Sequence, residues 1–312
     1  MFSDKLLERH NFYYRIGSLY FLLTMRRPRL IMKLSLLSKS IFFPLFFIVF
    51  LQGSIADTIS FRGGKYSGEI LRGLPDGEGT WVMDNGDVYS GKFVAGVLLD
   101  GNGRFHQGNG SIYEGSFLYS IPHGQGRLNL LNGSVYTGTF DFGNWTGQGS
   151  LVFSDGSSYI GTWHQGQHHG KGILTLSNGY LFDGTWRMGK KHGIGREEIT
   201  IFGDTIEYEG TFRDGERNGY GIRASNDWKY IGEWYDGKRQ GYGTTIFGNG
   251  FAYVGFYAEN QRSGQGTLFY PDGSTFVGSF ERGRPLNGER IDGDVFVGVY
   301  KNGIYEQIGE YK

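Results

Sequence analysis

From Lys65 onward the chain repeats one short pattern of large and absent side chains. An aromatic residue followed two positions later by glycine recurs at Tyr66, Tyr89, Tyr113, Tyr136, Tyr159, Phe182, Tyr208, Tyr230, Tyr253, Phe276 and Phe296. The successive intervals are 23, 24, 23, 23, 23, 26, 22, 23, 23 and 20. In an extended strand, side chains two apart share a face, so Tyr159, Gly161 and Trp163 point the same way. The position four after the lead is aromatic in all units but the first, which has Ile70. Glycine between two such rings leaves room for rings of neighbouring strands to lie over the backbone.

A second strand follows in each unit. A Gly-x-Gly pair trails the lead at a nearly constant offset, from Gly77/Gly79 to Gly264/Gly266, and apolar residues such as Leu130, Phe153 and Leu176 come later at a fixed phase. Asn-Gly or Asp-Gly then precedes the next lead, as at Asn85-Gly86, Asn132-Gly133, Asp155-Gly156 and Asp272-Gly273. These dipeptides favour the two-residue type I′ turn. The pattern predicts strand, turn, strand, turn throughout.

Units reading YEGSF at 113–117 and HGQG at 123–126, or YIGTW followed by HHGKG, resemble MORN (membrane occupation and recognition nexus) repeats. The resemblance covers roughly residues 62–303, about ten to eleven repeats. It implies an all-β fold: an elongated single-layer antiparallel sheet of consecutive hairpins, curved into a half-pipe. At about 4.8 Å per strand, ten units would make a ribbon on the order of 95 Å long. The domain reading is 1–31 as an N-terminal extension, 32–56 as a signal segment, 57–303 as the array and 304–312 as a C-terminal cap.

Composition narrows the classes. Of 55 glycines among 312 residues, all but Gly17 and Gly53 lie after Ser60, and the six prolines rule out collagen. The absence of cysteine excludes disulfides and cysteine-based metal sites. Basic and acidic residues balance at 31 each, but eight of the basic and three of the acidic precede Phe61. The remainder, 23 against 28, is mildly acidic, which argues against nucleic acid as a partner.

The stretch from Met32 reads MKLSLLSKSIFFPLFFIVFLQGSIADT. Lys33 and Lys39 precede an apolar run, Ile41 to Leu51, with small residues at Ser54 and Ala56. That run is short for a membrane span of about 20 residues and fits a secretory signal peptide. An uncleaved anchor is the alternative, and Met1 or Met32 could be the start. Secretion would place the protein in the extracellular space or on a membrane. An anchor could instead leave it on the cytoplasmic face. Asn109, Asn132 and Asn144 stand in N-glycosylation sequons.

Catalytic signatures are weak. No Gly-x-Gly pair extends to a nucleotide-binding loop, and no nucleophile elbow occurs. His123, His169 and His192 occupy a repeat-consensus slot, so no metal site, cofactor or catalytic residue is expected. Glu197-Glu198 reads as a solvated edge. The enzymes among MORN-repeat relatives carry a separate catalytic domain, and only nine residues follow Gly303. The resemblance therefore implies a non-enzymatic scaffold that binds a protein partner. The alternatives are a module associating with anionic phospholipid and a regulatory part, acting in trans, of a phosphoinositide kinase-like or methyltransferase-like system.

Two surfaces are candidates for binding. The first is an aromatic groove of Tyr159, Trp163, Trp186, Tyr208, Phe212, Tyr230, Trp234 and Tyr253, the alternative being that these rings are simply the core. The second is a basic rim of turn residues: Lys190, Lys191, Arg217, Lys238, Arg239, Arg262 and Arg284. Around residues 182–230 the period breaks and Asn226-Asp227-Trp228 replaces the glycine turn, marking a bend or a contact site.

Overall fold

The computed structural model describes residues 57–308. The signal segment, the N-terminal extension and the last four residues of the expected cap lie outside them. The described chain forms one open antiparallel sheet of 23 strands, without a helix. Each strand pairs with the next in sequence. Numbering runs from β1 (Asp57–Ser60) and β2 (Gly64–Leu71) to β22 (Val295–Lys301) and β23 (Ile304–Gln307). The even strands carry the lead aromatics and the odd strands carry Gly-x-Gly.

Register turns the repeat into a physical device. In β8 (Val135–Asp141), β9 (Asn144–Val152), β10 (Ser158–His164) and β11 (Gln167–Thr175), Gly138, Gly149, Gly161 and Gly172 face one another in a row. The row continues through Gly184, Gly195, Gly210, Gly221, Gly232 and Gly243. The lead rings, Tyr89 and Phe296 excepted, lie over this floor. A Cβ on Gly149 would stand 2.5 Å from the Tyr136 hydroxyl oxygen and 2.8 Å from ring carbons. The hydroxyl reaches past the floor and donates to the carbonyl of Thr139 at 3.1 Å, and Tyr113, Tyr159, Tyr208, Tyr230 and Tyr253 repeat this bond. Burial raises the Tyr136 phenol to about 12, so it remains a donor.

The second aromatics wedge between successive leads. Tyr136, Trp163, Tyr159 and Trp186 meet edge to face at 5.4, 5.0 and 5.5 Å, and the chain of such contacts runs on to Tyr300. Edge-to-face packing matches ring edges to ring faces and adds about 0.5–1.5 kcal/mol per pair beyond burial. All eight rings expected to form a groove belong to this ridge, and none is more than 6% exposed. They are the core, because in a one-layer sheet the rings bury one another beneath the side chains of the odd strands.

Two turn types alternate, and their places reverse the expectation. At Asn132-Gly133 only the glycine is left-handed (φ 84°), and Leu130 exchanges backbone bonds with Gly133 and Ser134. This is a three-residue loop, a type I turn closed by a left-handed glycine. The Asn132 carboxamide oxygen accepts from the Ser134 amide at 3.0 Å, so asparagine caps the loop instead of adopting positive φ. The primed geometry sits at the other hairpin ends, as at Gln165-Gly166 (φ 49° and 74°) and Met188-Gly189 (48° and 77°).

Gly-x-Gly does not begin the second strand; it spans a bulge within it. Gly161 faces Gly172 while Thr162 faces His169, so two residues of β11 are extra there. Gly170 takes the left-handed backbone of that bulge (φ 56°). The first glycine of the pair thus makes the kink and the second makes the floor.

Candidate functional site

The accessible layer on the ring face comes from the odd strands. One position in each odd strand sits opposite the second aromatic of the preceding strand. In chain order it holds Pro75, Leu98, Pro122, Trp145, His168, Lys191, Arg217, Arg239, Arg262, Pro285 and Tyr305. These side chains cap the lead rings. Trp145 stacks on Tyr136 at 4.3 Å with 2° between planes, and His168 on Tyr159 at 3.6 Å with 11°. Arg217 lies 5.0 Å over Tyr208, Arg239 5.5 Å over Tyr230 and Arg262 5.5 Å over Tyr253. The cap is therefore apolar at one end of the sheet and cationic toward the other. Each cation over a ring contributes about 0.5–1 kcal/mol.

The expected basic rim divides between two faces, because its members lie in strands and alternate. Lys191, Arg217, Arg239 and Arg262 point to the rings and are half-buried, whereas Lys190, Lys238 and Arg284 are exposed. Lys238 is paired with Glu259, and Arg187 lies 3.4 Å from Asp214. Acidic residues thus interleave with the exposed cations.

A second position lies between consecutive leads. It is Leu128, Leu151 and Leu174 in three successive odd strands and Leu268 in a later one. Between them the series reads Glu197 in β13 (Lys190–Ile201), Arg223 in β15 (Glu216–Ala224) and Thr245 in β17 (Lys238–Phe247). Packing alone favours leucine here, and a buried polar group costs free energy unless it is partnered. The substitution of three consecutive positions marks this part of the sheet.

Glu197 is 6% exposed, which corrects its reading as a solvated edge. Lys191 pairs with one carboxylate oxygen, and Arg217 donates to the other at 2.9 and 2.7 Å. The Tyr180 hydroxyl donates at 2.8 Å. Burial pushes the Glu197 carboxyl up, but the Lys191 hydrogen bond and the Arg217 and Lys191 charges outweigh it and hold it below the usual range. Glu198 pairs instead with Arg196 at 2.9 Å.

Thr245 is 1% exposed and its hydroxyl is 2.5 Å from that of Tyr257. Arg223 has no such resolution. Its Nε is buried without a hydrogen-bond partner, and among the described residues no carboxylate pairs with it. Burial, then the neighbouring Arg217 and Arg239, lower its proton affinity. It borders a pocket of 390 Å³ with Trp228, Trp234, Arg239, Thr245 and Phe247. Sequence reading singled out Trp228, Trp234 and Arg239 but missed Arg223. The signal was available, since Arg223 stands at the same offset from Tyr208 as Leu128 does from Tyr113.

The histidines do not assemble. His168 is wedged between Tyr159, Trp163 and Trp186, and burial lowers it to about 4. Among the described residues no group of three or more His, Asp or Glu could hold a metal ion. Asn109, Asn132 and Asn144 are exposed.

A family model described as MORN repeat matches residues 66–88, 113–135, 136–158, 159–179, 182–199, 208–229, 230–251 and 253–275. These eight stretches are fewer than the ten to eleven units read from the sequence. The units led by Tyr89, Phe276 and Phe296 fall outside the matches, and the first two also use their first glycine, Gly101 or Gly288, to meet the preceding strand. No curated protein matches the sequence. Among solved structures, the chain is similar to the SAS-4 (dCPAP) TCP domain of Drosophila melanogaster, solved with a proline-rich motif of Ana2 (dSTIL). That match has 10% identity and a TM-score of 0.24 and covers 67% of this chain and 90% of that one. A streptogramin B lyase structure matches at 12% identity and a TM-score of 0.15, covering 71% and 89%. Scores this low carry no argument about fold or function.

Proposed function

The chain belongs to the MORN-repeat family, and from that premise we propose that it is a non-enzymatic scaffold whose ring face binds an extended protein segment. One observation carries this reading: the cap over the rings changes from Pro122 and Trp145 through His168 to Lys191, Arg217, Arg239 and Arg262. A segment lying across the strands would meet apolar surface first and cations later. The fitting partner has an apolar stretch joined to an acidic one. In the two ring-face positions from β13 to β19 (Gln261–Phe269), Lys191, Arg217, Arg223, Arg239 and Arg262 stand against one carboxylate, Glu197. That excess of four positive charges would draw an acidic chain toward this end.

The test is selection from a random displayed peptide library, followed by binding to Arg239→Glu/Arg262→Glu. Enrichment of apolar-acidic peptides that the double variant no longer holds supports the reading. Peptides held equally well by both proteins contradict it. Association with anionic phospholipid through Lys190, Lys238 and Arg284 ranks second, because Lys238 is already paired with Glu259. Binding of phosphatidylserine vesicles, lost when those three are reversed, would put it first. Entry into the secretory pathway through residues 32–56 is part of the proposal. A mature chain beginning at Asp57 whose mobility shifts on glycosidase treatment supports it; a chain retaining Phe47 counts against cleavage.

A further inference from the structure

The arginine at position 223 is costly where it stands. Leucine fills the same place at Leu128, Leu151, Leu174 and Leu268, and Arg223 sits between Tyr208 and Tyr230 with its Nε shut off from water and from any acceptor. The charges facing it are Arg217, Arg239 and Glu197. Glu197 is already engaged by Lys191 and both Arg217 nitrogens, so it is not a free counterion. Arg239 is anchored by its Nη2, which donates to the Asn260 carbonyl at 2.7 Å. The two guanidiniums share a pocket whose remaining walls include the rings of Trp228, Trp234 and Phe247. Trp228 also supports Arg223 from below, at 5.5 Å from its guanidinium carbon.

We propose that this pocket is a binding site for a carboxylate carried on an apolar stem, with Arg223 and Arg239 taking the anion and the aromatic walls taking the stem. The buried Nε of Arg223 gains an acceptor once a carboxylate enters, and planar forks match carboxylates two bonds at a time. The walls decide between anions. A tetrahedral phosphate would lose its hydration against indole faces with nothing apolar to place there, whereas an aryl or alkyl carboxylate fills them. A volume of 390 Å³ lies at the small end of ligand pockets and suits a single such group. The carboxylate could be the C-terminus of a polypeptide or a free organic acid. Only the first source rests on the groove reading above; the pocket does not.

The probe is 3-phenylpropionate, titrated into the full chain by calorimetry with tryptophan fluorescence in parallel. Saturable binding of one equivalent is expected, with at least a tenfold loss on uncharged 3-phenylpropionamide. Arg223→Leu installs the residue found at this position at Leu128, Leu151, Leu174 and Leu268, so it is expected to keep or raise the urea midpoint while weakening the probe at least tenfold. Arg239→Gln, at the pocket mouth, gives a second measure and is expected to weaken it several-fold. An N-acetylated Leu-Phe peptide acid that binds more tightly than its amide and the probe would assign the site to chain termini. The reverse order would assign it to free acids. Amide and acid binding equally, unchanged affinity in both variants, or inorganic phosphate displacing the probe at lower concentration would each overturn the proposal. None of these outcomes bears on peptides captured elsewhere on the ring face, so the groove reading stands or falls separately.

Discussion

Adding one methyl group to the glycine floor tests the architecture most directly. In Gly149→Ala the new Cβ would sit 2.5 Å from the Tyr136 hydroxyl oxygen and 2.8 Å from two ring carbons. Ordinary contact begins near 3.4 Å, so the ring must rise by about 1 Å. It has little room above, because Trp145 is stacked on it at 4.3 Å, and Phe140 and Trp163 abut it at 5.2 and 5.4 Å. Overpacking of this kind costs about 1–3 kcal/mol, and loss of the Tyr136 bond to Thr139 about 1 kcal/mol more. We expect a total of about 2–4 kcal/mol. Gly166→Ala is the control: no atom lies within 4 Å of its Cβ, but φ is 74°, which costs an L-residue about 1 kcal/mol. Urea unfolding followed by tryptophan fluorescence compares them. The Gly149→Ala penalty should also shrink when Trp145→Ala removes the ceiling, as neighbouring sites couple. A loss in Gly149→Ala no larger than in the control, or a penalty indifferent to Trp145, would refute the ring-on-glycine account.

Other consequences follow from the polar positions. Glu197→Gln leaves the half-buried Lys191 and Arg217 against a neutral partner and should cost about 1–3 kcal/mol in the same urea assay. Because the folded Glu197 carboxyl titrates below its unfolded value, its stabilisation is complete above the unfolded pKa, about 4.3, and fades as pH falls through the folded one. The wild-type urea midpoint should therefore drop in acid more steeply than that of Glu197→Gln. For His168, held near 4 against an ordinary value near 6.5, the unfolded chain takes the proton first, so stability should decline from pH 6.5 to 4. His168→Trp, which copies Trp145, should flatten that window, and an imidazole NMR titration should show a midpoint near 4. Phe202, at the tip between β13 and β14 (Asp204–Arg213), is fully exposed, so Phe202→Ser should change the unfolding free energy from urea titration by less than about 0.5 kcal/mol.

Exposure of the sheet's other face varies along its length. Ile194, Tyr220 and Tyr242 project there at 71, 62 and 50% exposure, while units nearer β7 (Ile121–Asn129) carry Gln125 and Gln148 at the same position. Both faces therefore depart from the repeat over β13 to β17, where the spacing of the lead aromatics also becomes irregular.

Strand order, hairpin succession and the aromatic ridge were legible in the sequence, because period-two alternation and a regular long repeat leave few other ways to bury the rings. Glycine between aromatics could be read as clearance for a ring from a neighbouring strand; the structure instead lays the Tyr136 ring over Gly138 of its own strand and Gly149 of the next. Burial could not be read the same way. Tyr159 and Trp234 look like groove residues in one dimension, and only the register shows rings from adjacent hairpins closing over each other. Turn types were misassigned for a local reason: Asn132 satisfies the loop through its side chain, while Gln165 and Met188 accept positive φ under the constraint of paired strands. The division of Lys190 from Lys191 needed strand alternation at the hairpin start, and the pairing of Glu197 with Arg217, two strands further on, needed the sheet. Sequence thus determined what repeats, since each unit meets the same neighbours. Tertiary structure decided what the exceptions do, because Glu197, Arg223 and Thr245 acquire their meaning from residues one hairpin away.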